Sequence, residues 1–398
     1  LKHYGLKTTV LRHLFESQDH HCAELEVHSR RENKNLKAIW VGSEEYRPMG
    51  TFPRGPYDPF ALWLKDKERD SVPEKRLPWE RQGWFRQASS WILHQLDRLN
   101  IQVTGSVEQI RAGWYSSAVL RVNTSQGYCY FKAAPHVEPR EVALTAAIAR
   151  KWPQWVPEPL AVDENKNWML SRNYGLPLLS KRSSGDPSVV ARNLAELQIE
   201  SCQDLEEFEK LGCISRGLEE MSEFLAGIDR IFPILGRGRS ALSEEDLRQL
   251  EAVAGRIQQQ FEQLAELRIP DMLVHEDFHP RNLYPHEKGC WITDWANTMI
   301  THPFLSFTRL AHLSEEILSR EQVRDMAAAY LEPFGIYASA ESLGEALLMA
   351  SNLAWPASLL RRLELLPLLE ESSISPGRVE RSIRMDCQRL ISSGRASA

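Results

Sequence analysis

Four residues in one short stretch carry the strongest chemical pattern in the chain. The segment LVHEDFHPRNL, from Leu273 to Leu283, is followed by ITDW from Ile292 to Trp295. Together they set His275, Asp277 and Asn282 in the order H-x-D-x-x-x-x-N, with Asp294 after a short hairpin. These residue types suit transfer of a phosphoryl group to a hydroxyl. One carboxylate must orient the attacking oxygen and take its proton, while an amide and a second carboxylate hold Mg²⁺ against nucleotide phosphates. Asp277 is the candidate base and His275 the other candidate catalytic residue. Asn282 and Asp294 are the candidate metal ligands. Magnesium prefers hard oxygen donors, so this pair suits it and no Cys or His ligand is required.

An H-x-D alone carries little information, and the weight comes from what must position it. Met272, Leu273 and Val274 lead in as an apolar strand, Pro280 sits in the loop, and a hairpin at Gly289 returns through Cys290, Trp291 and Ile292. Strand, catalytic loop, strand and metal carboxylate follow each other as in the C-lobe of a kinase. HEDFHPRN followed by ITDW resembles the motif pair of the aminoglycoside phosphotransferase family, which is related to choline kinases and, more remotely, to protein kinases. The resemblance runs from about Leu77 to the mid three-hundreds. The family usually has Gly where this chain has Glu276, and usually Asp-Pro where this chain has His302-Pro303. His302 is open between a part in the active-site loop and a structural one. The resemblance implies an α+β, bilobal protein-kinase-like fold, with a small antiparallel-sheet N-lobe and a mainly helical C-lobe. It also implies ATP and Mg²⁺ as cofactors and a small-molecule hydroxyl acceptor.

Such a fold needs a lysine on its small sheet to bind the α and β phosphates, and a helix glutamate to hold that lysine. VTGSVEQIRAG, SSAVLRVNTSQG and YCYFKAAP read as three antiparallel strands, and Lys132 ends the third. Glu141 opens the helix EVALTAAIARKW where the family's helix Glu falls, with Glu138 the near alternative. The turn RAGWYSSA is expected over the phosphates; it has one glycine, Gly113, and Ser116 and Ser117 as hydroxyl or backbone donors. VPEPLAVD and NWMLSR resemble the last two strands of the lobe, and the backbone from Leu170 to Gly175 is where the adenine would meet the interlobe connection.

At 398 residues the chain is long enough for more than one domain. A net charge of −6 argues against a general nucleic-acid binder and is compatible with cationic substrates. No apolar run approaches the ~18 residues that span a bilayer, and LKHYGLKTT lacks the apolar region of a signal peptide. Cys22, Cys129, Cys202, Cys213, Cys290 and Cys387 are scattered without a C-x-x-C pair. These features predict a reduced cytoplasmic protein with free thiols, no zinc and no membrane partner. The leading Leu suggests a piece of a longer product.

Residues 1–76 read as an accessory α+β segment. KTTVLRHLF and CAELEVHS alternate as strands do, and KAIWVG reads as another. Their order is similar to the trailing half of a Nudix hydrolase fold, with Lys2 and His3 where its last acidic positions should fall; an unrelated accessory segment reads equally well. Pro- and Gly-rich RPMGTFPRGPYDP and the charged run after it mark a boundary. In ASSWILHQLDRL, Trp91, Ile92, Gln95, Leu96 and Leu99 recur at helical spacing and are expected to fasten the N-terminal segment to the lobe. The expected divisions are 1–76, a lobe of 77–175 and a helical lobe of 176–398. In that last part DPSVVARNLAELQIES has an Asp cap, and LSEEDLRQLEAVAGRIQQQFEQLAEL opens on Ser243 with Asp246 three residues on. Rival readings are a metabolic kinase of the same fold acting on choline, a sugar or homoserine, and a nucleotide-binding scaffold without turnover.

Overall fold

The computed structural model describes residues 6–16, 21–30, 76–111, 117–135, 141–178, 186–235, 242–287, 289–314, 318–350, 354–369 and 376–396. The expected strand KAIWVG, Glu138 and most of the RAGWYSSA turn, including Ser116, lie outside them. The chain divides into two compact units, residues 1–135 with 365–378, and residues 136–364 with 379–398.

In the first unit β1 (Leu6–Glu16) and β2 (His21–Arg30) form an antiparallel hairpin. Helix α1 (Trp84–Arg98) starts after Gly83, whose φ of +81° is a left-handed conformation open to glycine at little cost. A meander of β3 (Glu108–Arg111), β4 (Ala118–Thr124) and β5 (Gly127–Ala133) follows. Strand alternation sends Leu120, Val122, Cys129 and Phe131 to one buried face. Helix α1 buries Trp84, Phe85, Ala88, Ile92 and Leu96, and its Trp84 and Trp91 rings lie 6.1 and 5.7 Å from the Phe131 ring. Burying each such large side chain contributes roughly 1.5–3 kcal/mol. The hairpin is tied to both elements: the Gln109 amide bonds the Val10 N–H at 2.8 Å and its carbonyl at 2.9 Å, and Glu26 accepts the Gly83 N–H at 2.8 Å. The Trp-bearing helix thus does fasten the hairpin to the sheet, as the sequence suggests. Leu99, expected on the same helix face, falls at the C-cap and is exposed.

The second unit begins with α2 (Glu141–Lys151) and the hairpin β6 (Ala161–Asp163) and β7 (Trp168–Arg172). In α3 (Pro187–Ser201) the Asp186 side chain accepts the Ser188 N–H, and Pro187 fills the first turn, where no N–H is missed. Then come α4 (Leu205–Lys210), β8 (Ile214–Ser215), α5 (Leu218–Ala226) and α6 (Phe232–Leu235). Helix α7 (Glu244–Glu266) opens on the expected capping box, Ser243 and Asp246 bonding each other's backbone. It delivers the chain to β9 (Met272–His275), β10 (Leu283–His286), β11 (Gly289–Ile292) and β12 (Thr298–Thr301). Strands β10 and β11 form the expected hairpin. Strand β12 is a finding that the sequence reading missed: TMIT pairs antiparallel with β9 and parallel with β8. The remainder is helical, α8 (Phe304–Ser314), α9 (Arg320–Leu331), α10 (Ala340–Ala350), α11 (Ala354–Leu369) and α12 (Pro376–Ala396). Among the described residues no helix is long and apolar enough to cross a membrane.

Candidate active site

The loop between β9 and β10 brings His275, Asp277 and Asn282 together within the second unit. Asn282 donates from Nδ2 to the Asp277 carbonyl at 3.1 Å and reaches its Oδ2 at 3.4 Å. His279 Nε2 also lies 3.4 Å from Asp277 Oδ2. The turn itself is closed by the Asn282 N–H on the His279 carbonyl, 2.9 Å, and by the Arg281 N–H on His279 Nδ1, 3.1 Å. Asp277 is half-buried, open to a reacting hydroxyl yet not freely solvated.

Asp294 is reached from the same loop through Thr293. The Thr293 N–H and hydroxyl both donate to the Asn282 carbonyl, at 2.9 and 3.0 Å. The Thr293 carbonyl accepts His275 Nε2–H at 2.9 Å, which fixes the imidazole tautomer. Two candidate metal ligands are therefore coupled through one residue. Asp294 itself has φ of 68° and ψ of 58°, left-handed for a residue with a Cβ. That conformation costs on the order of 1–2 kcal/mol and concentrates at functional sites.

His275 is buried, and burial lowers its pKa, the carbonyl of Thr293 and the Asp277 and Asp294 carboxylates opposing that only in part. The ring is held 4.8 Å from Trp295, whose indole N–H donates to the Ile292 carbonyl at 3.1 Å. Strand β9 hangs from two helices: the Leu273 N–H donates to Ser201 of α3 and the His275 N–H to Ser306 of α8, each at 3.0 Å. Gln198 of α3, fully buried, donates to the Pro303 carbonyl at 3.0 Å, and the Tyr330 hydroxyl lies 2.8 Å from Gln198 Oε1. Sequence reasoning missed Ser201, Gln198, Ser306 and Tyr330. The signal for Gln198 was present: Val190, Leu194 and Gln198 stand at i, i+4 and i+8, a polar residue on an apolar helix face.

Glu276, the departure from the family's Gly, is buried and ion-paired with Arg361 of α11 at 2.9 Å. His302 is buried too; burial lowers its pKa to about 3, and its Nδ1 accepts the Phe304 N–H at 3.4 Å at the start of α8. That contact is structural. The remaining expected site residues fall elsewhere in the chain. Lys132 lies on β5 opposite Val119, half-buried, on the face away from Phe131 and α1. Ser117 is buried just before β4. Glu141 opens α2 and is fully buried, and the next N–H, of Val142, donates to Asn167 Oδ1 at 3.2 Å.

The family model described as the phosphotransferase enzyme family matches residues 106–343, spanning β3 to the first turn of α10 and including Lys132, Glu141, Asp277, Asn282 and Asp294. The chain belongs to this phosphotransferase family. It is a phosphotransferase. Among solved structures, it is similar to the choline kinase LicA from Streptococcus pneumoniae, at 14% identity and a TM-score of 0.51, over 77% of this chain and 98% of that one. A choline/ethanolamine kinase family protein from Mesorhizobium loti matches at 19% identity and a TM-score of 0.49, over 74% and 94%. An ethanolamine kinase from Plasmodium vivax matches at 11% identity and 0.49, over 87% and 98%. The likeness to LicA shows the protein-kinase-like fold. No curated protein sequence matches the chain.

Proposed function

We propose that this phosphotransferase moves the γ-phosphoryl group of ATP, in a Mg²⁺-dependent reaction, to a hydroxyl of a small-molecule acceptor. The observation that carries the reading is the hydrogen-bonded group of Asp277, Asn282 and Thr293 leading to Asp294. The donors fit magnesium, since Asn282 and Asp294 offer one amide oxygen and one carboxylate, both hard ligands. Bound there, Mg²⁺ neutralises phosphate charge. Asp277 orients the acceptor hydroxyl and takes its proton, with Asn282 holding the carboxylate in place. His275 is buried and spends its Nε2–H on the Thr293 carbonyl, so its part is to hold the segment that carries Asp294. Lys132, on β5, is the residue for the α and β phosphates, and Glu141, Ser116 and Ser117 are the other residues assigned to the nucleotide. Little covalent work falls to the protein, and catalysis is positioning and electrostatics.

The test is formation of ADP from ATP with Mg²⁺ across amino alcohols, sugars, hydroxy acids and antibiotics, with the phosphorylated product identified by mass spectrometry. Phosphate on an acceptor hydroxyl is the expected result. Phosphate released only to water in every case would remove the reading.

A further inference from the structure

Beside the catalytic loop, within the second unit, lies a small cavity bounded by Arg216, Glu276, Asn297, Thr298 and Arg361. Its volume is about 10 Å³, enough for one oxygen atom of water size and no more. Glu276 joins it to the chemistry, because this residue directly precedes Asp277 and its N–H is fixed on the Asn297 carbonyl at 3.2 Å.

Arg216 makes the cavity unusual. It follows β8, its own N–H donates to the Ile300 carbonyl at 2.7 Å, and the residue is only 3% exposed. Its Nη2 is paired with Glu364, but Nε and Nη1 are buried without any partner. Buried donors of a charged group cost more to leave unmet than neutral ones, so such a guanidinium calls for an acceptor. Glu364, half-exposed, is the counter-charge of Arg216, but it meets only Nη2. Glu276 is already matched by Arg361. The Thr298 hydroxyl donates to the Trp295 carbonyl at 2.6 Å. Each guanidinium of the cavity thus has one carboxylate, Glu364 for Arg216 and Glu276 for Arg361, and Ile214 and Met299 complete the lining; what stays unmet is two N–H donors of Arg216.

We infer that this cavity seats one oxygen of an acidic group, a carboxylate or a phosphate, carried by the acceptor whose hydroxyl Asp277 orients. The inference rests on the phosphotransferase reading above for the word acceptor, and on Arg216 for the word acidic. An ammonium there would face two guanidiniums and has no lone pair for the Arg216 donors, and an anionic oxygen accepts from a guanidinium about twice as strongly as a neutral hydroxyl does. The body of the acceptor lies outside the cavity, since only one oxygen fits within.

The experiment uses the full chain without nucleotide and three matched pairs of probes: L-serine against ethanolamine, D-glycerate against ethylene glycol, and glycerol phosphate against glycerol. Binding is measured by calorimetry. At least one acidic probe should bind about tenfold or more tightly than its partner, the value of one charge-assisted hydrogen bond. Glycerate against glycerol phosphate then separates carboxylate from phosphate. Arg216→Gln should erase the preference, and Arg216→Lys, which keeps a charge for Glu364, should retain part of it and guards against a variant that fails to fold. Equal binding within every pair, a preference for the amine, no binding of any acidic probe, or a preference unchanged in both variants would each overturn the inference; the cavity would then hold a water only. Turnover of amino alcohols with acids ignored would sink the acidic acceptor and keep the phosphotransferase. An acidic preference with no turnover on any acceptor would do the reverse.

Discussion

Strand β5 and the loop after β9 each carry a residue proposed above for phosphate chemistry, and they position it by different means. On β5 the alternation of side chains turns Phe131 toward α1 and Lys132 to the other face, with Val119 as the cross-strand neighbour. The position is a consequence of regular backbone. In the loop nothing regular is available. Asp277 is set by Asn282, Asn282 by Thr293 and His279, and β9 by Ser201 and Ser306 from two helices. A strand residue tolerates small changes around it, because the ladder fixes its direction. A loop residue depends on each bond in the chain of contacts that holds it.

The largest test of that contrast is Asp277 itself. Asp277→Asn keeps the shape of the loop and removes the charge, so kcat should fall by a factor on the order of 10²–10⁴, the usual range for a positioned acid or base. Nucleotide affinity should hardly change. Turnover close to the parent's with the true acceptor would take Asp277 out of the mechanism. Next in size is the metal arm. Asp294→Ala should remove the Mg²⁺ dependence of nucleotide binding, and Asn282→Ala should weaken it less, because an amide brings no charge. Titration of ATP with and without Mg²⁺ reads both, and an Asn282 variant hit harder than the Asp294 variant would reverse the assignment.

Lys132 sharpens the comparison from the strand side. Lys132→Met keeps the strand and deletes the ammonium, so the KM for ATP should rise or kcat fall by about 10- to 100-fold, one charge-assisted contact. Glu141→Ala should act in the same direction and more mildly. Circular dichroism should show the fold unchanged in the Lys132 variant, since alternation and not the ammonium fixes the strand. Normal ATP kinetics in that variant would remove Lys132 from the nucleotide site.

The same contrast explains what could be read in advance. The loop motif was legible because His275, Asp277, Asn282 and Asp294 fall within a short contiguous stretch whose spacing is the message. The place of Lys132 on β5 was legible because strand alternation is written into YCYFK. The caps on α3 and α7 were legible from Asp186, Ser243 and Asp246 for the same local reason. What escaped depends on distance in sequence. The Gln198, Pro303 and Tyr330 cluster, the pairing of β12 with both β8 and β9, and the contact of Glu276 with Arg361 join residues that no local pattern connects. Strand β12 was missed because four residues between a motif and a Pro look like a turn. Its β-branched Thr298, Ile300 and Thr301 were the signal against that.

The smallest expected effect concerns His302, which precedes Pro303 at the start of α8. The buried imidazole stays neutral, its pKa lowered to about 3 by burial. In the unfolded chain the same group titrates near 6.5. Between these values the unfolded state binds a proton that the folded state does not, so stability rises with pH across that window and levels off above it. The contribution is fully present above about pH 6.5 and is lost as pH falls toward 3. His275, also lowered by burial, adds a slope of the same sign. His302→Asn leaves an oxygen able to accept the Phe304 N–H and has nothing to titrate. Urea denaturation at several values between pH 4.5 and 7.5 (chosen to bracket the upper part of the window) should show a shallower acid side in the variant, by about 1.4 kcal/mol per pH unit at its steepest, one proton's share. The variant will lose some stability at every pH from lost packing, so the slope and not the level is the readout. An unchanged slope would mean that His302 takes up its proton in the folded protein as readily as in water, and that the site beside α8 is not the dry one described.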